Sequence, residues 1–194
     1  MDYRGKKALV VGMAKSGAAS AALLYSLGAD VIIYDSKKRQ DLPPDITREL
    51  SKYHYTDMLG QDIIPLIKDI DIMVLSPGVP PGLPFIQEAR RLGKRVIAEI
   101  ELGFSVSKAD FIAITGTNGK TTTTALTGEI FKNAGFNTFV LGNIGVPITQ
   151  EALNTKEGDV VVAETAALQL DAIIDYKPVE SAILNITEDH PQNH

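Results

Sequence analysis

The sequence predicts an α/β fold in which parallel strands are covered by helices on both faces. Short runs that are apolar throughout alternate with segments whose apolar residues recur at helical spacing. Uniformly apolar strands are typical of parallel sheets buried on both faces, and their alternation with helices indicates the connections of such sheets. With 194 residues, 44 % of them hydrophobic, the chain is long enough to bury a core.

In the first half, the pattern predicts three strands and two helices. Gly28 closes the first helix, while Pro84 stands near the start of the second helix and Gly93 just past its end. The strands are predicted at residues 7–12, 30–35 and 71–78, and the helices at residues 16–28 and 84–93.

The second half repeats this organisation. Each half has a glycine-rich turn after its first strand, which predicts two domains, residues 1–93 and residues 94–194. Strands are predicted at residues 110–116, 137–142, 159–164 and 181–187, with a helix at residues 121–135.

Composition excludes several classes of function. The net charge of −5 and the pI near 5.2 argue against a nucleic-acid partner, which favours a basic face. The chain has no cysteine, which excludes disulfides, a thiolate nucleophile and thiolate-bound metals. The first apolar run stops at Gly12, too early for a signal segment or a membrane span. We therefore expect a cytoplasmic monomer without nucleic-acid or membrane partners.

A glycine-rich turn between a predicted strand and a predicted helix indicates an ATP site. Backbone N–H groups in such a turn, at the positive end of a helix, favour phosphate. Lys120 can reach the β- and γ-phosphates, and Thr121 can offer its hydroxyl to Mg²⁺. The strict phosphate-loop pattern is not met, because Ile114 stands where its first glycine would be, and a plain polar turn is the alternative. The predicted ATP-binding residues are Gly116, Thr117, Asn118, Gly119, Lys120, Thr121 and Thr122.

A second glycine turn, residues 12–17, is similar to a dinucleotide-binding fingerprint with Ala14 in place of its middle glycine. Asp35 ends the next strand, where an acidic residue commonly binds a ribose. This pattern predicts a nucleotide-type ligand, with a plain packing turn as the alternative. An NAD-dependent dehydrogenase is a further alternative, but it leaves residues 116–122 unexplained.

Five motifs occur in order along the whole chain: GMAKSG (12–17), SPG (76–78), AITGTNGKTTT (113–123), LGNIG (141–145) and NITEDH (185–190). Together they resemble the Mur ligases of peptidoglycan synthesis, and most of all those that add D-glutamate to UDP-N-acetylmuramoyl-L-alanine. Other Mur ligases stay open, because nothing in the chain identifies the incoming amino acid. Folylpolyglutamate synthase shares the ATP motif but lacks the first half.

The resemblance implies an N-terminal Rossmann-like domain that binds the UDP of the substrate rather than NAD. Part of a P-loop-type α/β domain, the family's central ATP-binding domain, then follows. The residues implied for the UDP substrate are Gly12, Lys15, Ser16, Gly17, Asp35, Ser36, Ser76, Pro77, Gly78 and Asn143.

In the implied reaction, a substrate carboxylate attacks the γ-phosphate of ATP, and the amine of D-glutamate then displaces phosphate from the acyl phosphate. Lys120 and His190 are the implied catalytic residues, with Lys120 and Mg²⁺ neutralising the transferring phosphoryl group. The resemblance adds Glu164 and His190 to Thr121 as metal ligands, which suits Mg²⁺ or Mn²⁺.

The chain departs from the family pattern in two places. Residues 165–170 read TAALQL where the family has a serine pair, and residues 191–194 read PQNH where it has a charged segment. The family's carbamylated lysine, which supports the second metal, and its C-terminal domain would lie beyond residue 194. We therefore expect a truncated chain that binds nucleotides without turnover.

Overall fold

The structure is a computed structural model that describes residues 2–187. The strands are β1 (Lys7–Val11), β2 (Asp30–Tyr34), β3 (Thr56–Asp57), β4 (Ile72–Leu75), β5 (Arg95–Ala98), β6 (Asp110–Thr115), β7 (Thr138–Gly142), β8 (Val160–Glu164) and β9 (Glu180–Ile183). The α-helices are α1 (Lys15–Ser26), α2 (Pro44–Leu50), α3 (Pro84–Arg91), α4 (Glu99–Val106), α5 (Lys120–Asn133), α6 (Ile148–Glu151) and α7 (Ala167–Leu170). Short 3₁₀ helices lie at Arg39–Asp41, Ile64–Asp69 and Ala152–Asn154.

The first sheet has the strand order β3-β2-β1-β4-β5, and every neighbouring pair is parallel. The chain moves from β1 to β2 on one side and later returns to β4 on the other side. The loops after β1, β2 and β4 therefore meet at one edge, on either side of a point where the strand order reverses.

The second sheet has the order β7-β8-β6-β9 and is also parallel throughout. The strand register places Ile114 of β6 and Gly142 of β7 on either side of Glu164 in β8. The turn after β6, the turn after β7 and the end of β8 consequently share one edge.

One apolar core joins the two sheets. A single cluster of buried side chains contains Leu9 and Met73 from the first sheet together with Phe111 and Val161 from the second. Phe104 of α4, which is partly buried, packs edge-to-face on Phe111 of this cluster with ring centroids 5.2 Å apart. The two sheets are therefore held together by buried apolar surface, the dominant favourable contribution to folding.

Helix α4 carries two buried carboxylates that accept hydrogen bonds from the second half of the chain. Glu99 accepts hydrogen bonds from the backbone N–H and the hydroxyl of Thr149, both at 2.8 Å. Glu101 accepts three, each 2.9 Å, from the backbone N–H groups of residues 174–176. Burial raises the pKa of Glu99, and the hydrogen bonds from Thr149 oppose that shift. These contacts tie α4 to α6 and to the loop at residues 174–176, both in the second half.

The predicted α/β fold with parallel sheets is confirmed. The first sheet continues beyond the predicted boundary at Gly93, because Arg95–Ala98 pairs with β4 and the second sheet begins only at Asp110. The segment RVIAEIELG contains both β5 and the start of α4, with no turn between them. Within residues 2–187, no helix combines the length and apolar character needed to cross a membrane.

Candidate active site

The loops that follow β1, β2 and β4 form a cleft of about 440 Å³ at the point where the strand order of the first sheet reverses. We call it the first cleft. This is the usual position for ligands in open parallel sheets. Five of the residues predicted for the UDP substrate line this cleft, and they are Gly12, Asp35, Ser36, Ser76 and Gly78. Apolar side chains such as Val79 and Phe85 complete its wall.

Asp35 and Ser76 hold the glycine turn in place. One carboxylate oxygen of Asp35 accepts a 2.7 Å hydrogen bond from the N–H of Met13, and the other accepts a 2.9 Å bond from the N–H of Lys37. The hydroxyl of Ser76 donates to the carbonyl of Gly12 at 2.7 Å. The cleft is therefore shaped by side-chain to backbone bonds between three separate loops.

Gly17 has a packing role that the fingerprint alone does not reveal. A Cβ atom at this position would lie 1.8 Å from the carbonyl oxygen of Gly12. Only glycine lets the first turn of α1 approach the end of β1 so closely.

The remaining residues predicted for the UDP substrate do not line the first cleft. Lys15 instead borders a cleft of about 710 Å³ between α1, α2 and the segment around α6. Asn143 lies at the second sheet. Ser16 and Gly17 lie in the first turn of α1, and Pro77 lies in the turn after β4.

The turn after β6 has the conformation of an anion-binding loop. Gly116 and Gly119 have positive φ values of 139° and 83°, which favour glycine. Gly119 is the N-cap of α5, and α5 begins at Lys120. In the described chain, the N–H groups of residues 119–122 make no hydrogen bond, as expected at a helix N-terminus. We call residues 116–119 the phosphate loop.

Lys120 folds back over the phosphate loop. Its ammonium donates to the carbonyls of Gly116 at 2.7 Å and Thr117 at 2.9 Å. A cation is thereby placed beside the free N–H groups at the helix start, where it adds to the positive potential of the helix. Lys120 also lines a cleft of about 520 Å³ at this edge of the second sheet, which we call the second cleft.

Thr121 and Glu164 are in direct contact, although 43 residues separate them. The Thr121 hydroxyl donates to the Glu164 carboxylate at 2.9 Å, and the amide of Asn143 approaches the other carboxylate oxygen at 3.4 Å. Glu164 is only 2 % exposed, so its carboxylate is held in a fixed position. A hydroxyl and a carboxylate on adjacent elements suit Mg²⁺, which commonly binds one or two carboxylates together with phosphate oxygens and waters.

Gly142 allows this arrangement to form. Its φ is 113°, and a Cβ atom there would lie 2.3 Å from the carbonyl oxygen of Glu164. The same carbonyl accepts a 2.9 Å hydrogen bond from the N–H of Asn143. The end of β7 therefore lies directly against the end of β8.

The segment after β9 contacts the phosphate loop, a feature that the sequence did not predict. Asn185 accepts from the N–H of Asn118 at 2.9 Å through its side-chain oxygen, and its side-chain amide donates to the Asn118 carbonyl at 2.9 Å. Thr117 and Thr187 exchange two further bonds through the Thr117 hydroxyl, at 3.0 and 3.1 Å. We call residues 185–187 the clasp.

Three further observations bear on the residues predicted for this site. Ala166, Ala167 and Leu168, in the segment that departs from the family pattern, form an apolar wall of the second cleft. His190, predicted as a catalytic residue and metal ligand, lies outside the described residues. Within residues 2–187, no group of three or more histidine or acidic side chains is placed to hold a metal ion.

Two family profiles match most of the chain. Residues 6–98 match the Mur ligase MurD-like N-terminal domain, and residues 114–194 match the Mur ligase middle domain. The chain therefore belongs to the Mur ligase family.

Within that family, the chain is similar to UDP-N-acetylmuramoylalanine–D-glutamate ligases. It is 44 % identical over 196 residues to the enzyme of Alkaliphilus metalliredigens and 45 % identical over 195 residues to that of Clostridioides difficile. Each comparison covers all of this chain but 43 % of the relative, so the chain spans less than half the length of these enzymes.

Solved structures agree on the fold. A UDP-N-acetylmuramate:L-alanyl-gamma-D-glutamyl-meso-diaminopimelate ligase from Neisseria meningitides is similar with a TM-score of 0.57 and 21 % identity, over 96 % of this chain and 62 % of that one. A murein peptide ligase from Psychrobacter arcticus gives a TM-score of 0.56 at 21 % identity, over 95 % of this chain and 44 % of that one. At this identity, the likeness supports the α/β fold alone.

Proposed function

We propose that this protein acts in the ATP-dependent addition of D-glutamate to UDP-N-acetylmuramoyl-L-alanine. The observation that carries the proposal is the contact of Thr121 with Glu164 beside a positive-φ loop whose neighbouring N–H groups make no hydrogen bond in the described part of the chain. Identity of 44–45 % to D-glutamate ligases over the whole chain supports this choice among Mur ligases. Because the reaction consumes ATP, we propose the cytoplasm as its location.

The first cleft is the proposed site for the UDP end of the substrate. It lies where open parallel sheets bind nucleotides, and its rim combines Asp35 and Ser36 with the apolar side chain of Phe85. Carboxylate and hydroxyl oxygens can accept hydrogen bonds from ribose or uracil, while an aromatic side chain offers a flat surface to a ring.

The second cleft is the proposed site for the phosphates of ATP. The free N–H groups of residues 119–122 and the ammonium of Lys120 face the same edge of the sheet. Hydrogen-bond donors fixed in advance stabilise the negative charge of a transferring phosphoryl group without reorganising during the reaction. For this to occur, Lys120 must exchange its bonds to the loop carbonyls for bonds to phosphate oxygens.

The oxygens of Thr121 and Glu164 are the proposed protein ligands of Mg²⁺, with His190 added on the basis of sequence. When bound, Mg²⁺ would neutralise charge on the phosphate oxygens. Asn143, which contacts Glu164, lies beside Lys120 in the lining of the second cleft, so it is placed to contact the reacting end of the substrate.

In the proposed reaction, the terminal carboxylate of UDP-N-acetylmuramoyl-L-alanine attacks the γ-phosphorus, and the bond from that phosphorus to ADP breaks. The amine of D-glutamate then attacks the acyl phosphate, losing a proton as phosphate leaves. The role proposed for Lys120 is to hold the phosphoryl oxygens during the first step.

Ligand binding is the direct test, because the 194 residues span 43 % of the relatives. The midpoint of thermal unfolding is measured with UDP, UDP-N-acetylmuramoyl-L-alanine, NAD, and ATP with Mg²⁺. A ligand that binds only the folded state raises the midpoint. We expect ATP and both uridine nucleotides to raise it, and Lys120→Ala to abolish only the ATP effect. Stabilisation by NAD but not UDP would overturn the first assignment, and ATP binding unchanged in Lys120→Ala would overturn the second.

A further inference from the structure

The phosphate loop depends on contacts from outside itself. Its two glycines, Gly116 and Gly119, both have positive φ values, and glycine restricts the backbone less than any other residue. Residues 116–119 lie between β6 and α5, and the helical bond that the structure gives them is the one that the Gly119 carbonyl accepts from the N–H of Thr123. A loop of this kind keeps one conformation only if neighbouring groups hold it.

The clasp supplies those contacts, and Asn185 makes most of them. The side chain of Asn185 binds both the N–H and the carbonyl of Asn118, as a neighbouring strand would. The carbonyl of Asn185 accepts the N–H of Thr117 at 3.1 Å. A Cβ atom at Gly116 would lie 3.1 Å from both the backbone nitrogen and oxygen of Asn185, so the two segments are also in close contact.

These bonds divide the N–H groups of the loop into two sets. Those of Thr117 and Asn118 point to the clasp, whereas those of Gly119 and of residues 120–122 at the start of α5 make no hydrogen bond within residues 2–187. The clasp therefore determines which N–H groups a phosphate can reach.

We propose that Asn185 is a positioning residue for ATP, which holds the phosphate loop in the shape that receives the triphosphate. This inference rests on the proposed function, in which the loop binds ATP. Asn185 acts through the main chain of Asn118 rather than on the reacting atoms.

The expected size of the effect follows from the bonds that a substitution removes. Asn185→Ala deletes the two side-chain bonds to Asn118 and leaves the backbone bond to Thr117. Each net hydrogen bond changes an equilibrium by a factor of about two to twelve. The apparent dissociation constant rises as the competent fraction of the loop falls, so we expect about a tenfold rise for ATP.

The experiment measures dissociation constants by calorimetry for ATP with Mg²⁺ and for UDP, together with hydrogen exchange at the Asn118 amide. The variants are Asn185→Ala and Asn185→Asp, which keeps an acceptor for the Asn118 N–H but loses the donor. Asn154→Ala is the control, because the side-chain amide of Asn154 donates to Glu151 on an exposed surface.

We expect both Asn185 variants to bind ATP more weakly, with UDP affinity as in the unsubstituted chain and in the control. The backbone N–H of Asn118 should exchange faster in Asn185→Ala, which loses its acceptor, than in Asn185→Asp, which keeps one. ATP affinity within about twofold of the unsubstituted chain in Asn185→Ala, a change smaller than most single hydrogen bonds produce, would overturn the inference. Equal losses of ATP and UDP affinity would also overturn it, since they indicate general destabilisation. If the unsubstituted chain fails to bind ATP, the proposed function itself fails.

Discussion

Gly142→Ala tests how closely the ends of β7 and β8 must approach. An alanine here must adopt a φ near 113°, and its Cβ would lie 2.3 Å from the carbonyl oxygen of Glu164. The backbone strain costs about 1–3 kcal/mol. Relieving the overlap costs about 1–3 kcal/mol more, because the opposing atom belongs to the backbone of a buried strand. The expected loss is about 2–6 kcal/mol of the free energy of unfolding.

Gly158→Ala is the matched control. Gly158 has a φ of 87°, but a Cβ atom there would meet nothing within 4 Å. The two variants share the backbone strain, so the difference between their unfolding free energies isolates the contact with Glu164. Urea denaturation followed by circular dichroism measures that difference, and we expect Gly142→Ala to be the less stable by at least about 1 kcal/mol. Equal losses in the two variants would refute the argument from close approach.

Three further predictions concern Asp35 and the buried carboxylates. Asp35→Ala removes the acceptor for the Met13 N–H, and calorimetry should show UDP affinity reduced about tenfold with ATP affinity unchanged; equal effects on both would contradict the separate clefts. Burial raises the pKa of Glu99 in the folded protein above its ordinary value of 4.5. At pH values between 4.5 and the raised pKa, the folded state therefore holds a proton that the unfolded state has released. The free energy of unfolding should therefore fall as the pH rises from 4.5 through the raised value, and Glu99→Gln should flatten this slope in denaturation series at several pH values; an unaltered slope would count against it. Glu101→Ala leaves the three N–H groups of residues 174–176 without their acceptor and should cost about 3–5 kcal/mol in urea denaturation, and a cost below about 1 kcal/mol would contradict this role.

The phosphate loop could be predicted from sequence because its signal is local. Glycine, lysine and threonine are consecutive at a strand-to-helix junction, and the structure places Gly119 and Lys120 at that junction. The role of Glu164 could not be predicted from a local pattern, because a carboxylate at the end of a strand is most often a solvent-exposed side chain. Only the sheet register brings Thr121 to 2.9 Å from it. The resemblance to a family, rather than the pattern, pointed to it.

The clasp and the placement of Lys15 show where local reasoning fails. Asn185 lies 67 residues from Asn118, and a single asparagine carries no signal that it will bind a distant backbone. The sequence marks Asn185 only by its position in the motif NITEDH, in which the family resemblance assigns a role to His190. Lys15 lies within the glycine fingerprint in sequence but borders a different cleft, because the first residue of a helix can face away from the turn before it.

Helix α4 was equally hard to predict, since RVIAEIELG is apolar enough for a strand and its glutamates suggest an exposed surface. Both carboxylates are buried, because their hydrogen-bond donors come from α6 and from the loop at residues 174–176, about 50 and 75 residues away. A pattern of neighbouring residues in the sequence cannot identify hydrogen-bond donors that are so distant along the chain.

The contacts of α4 also bear on how this chain can recombine with its relatives. A crossover placed just before Glu99 transfers both buried carboxylates together with the backbone donors that satisfy them. A crossover after Val106 separates the acceptors from their donors, so two different relatives would have to supply the matching halves of the same hydrogen bonds. The segment that should be exchanged as one piece with the second sheet therefore starts at Glu99, directly after the last strand of the first sheet. We expect functional hybrids to tolerate a crossover at that position best.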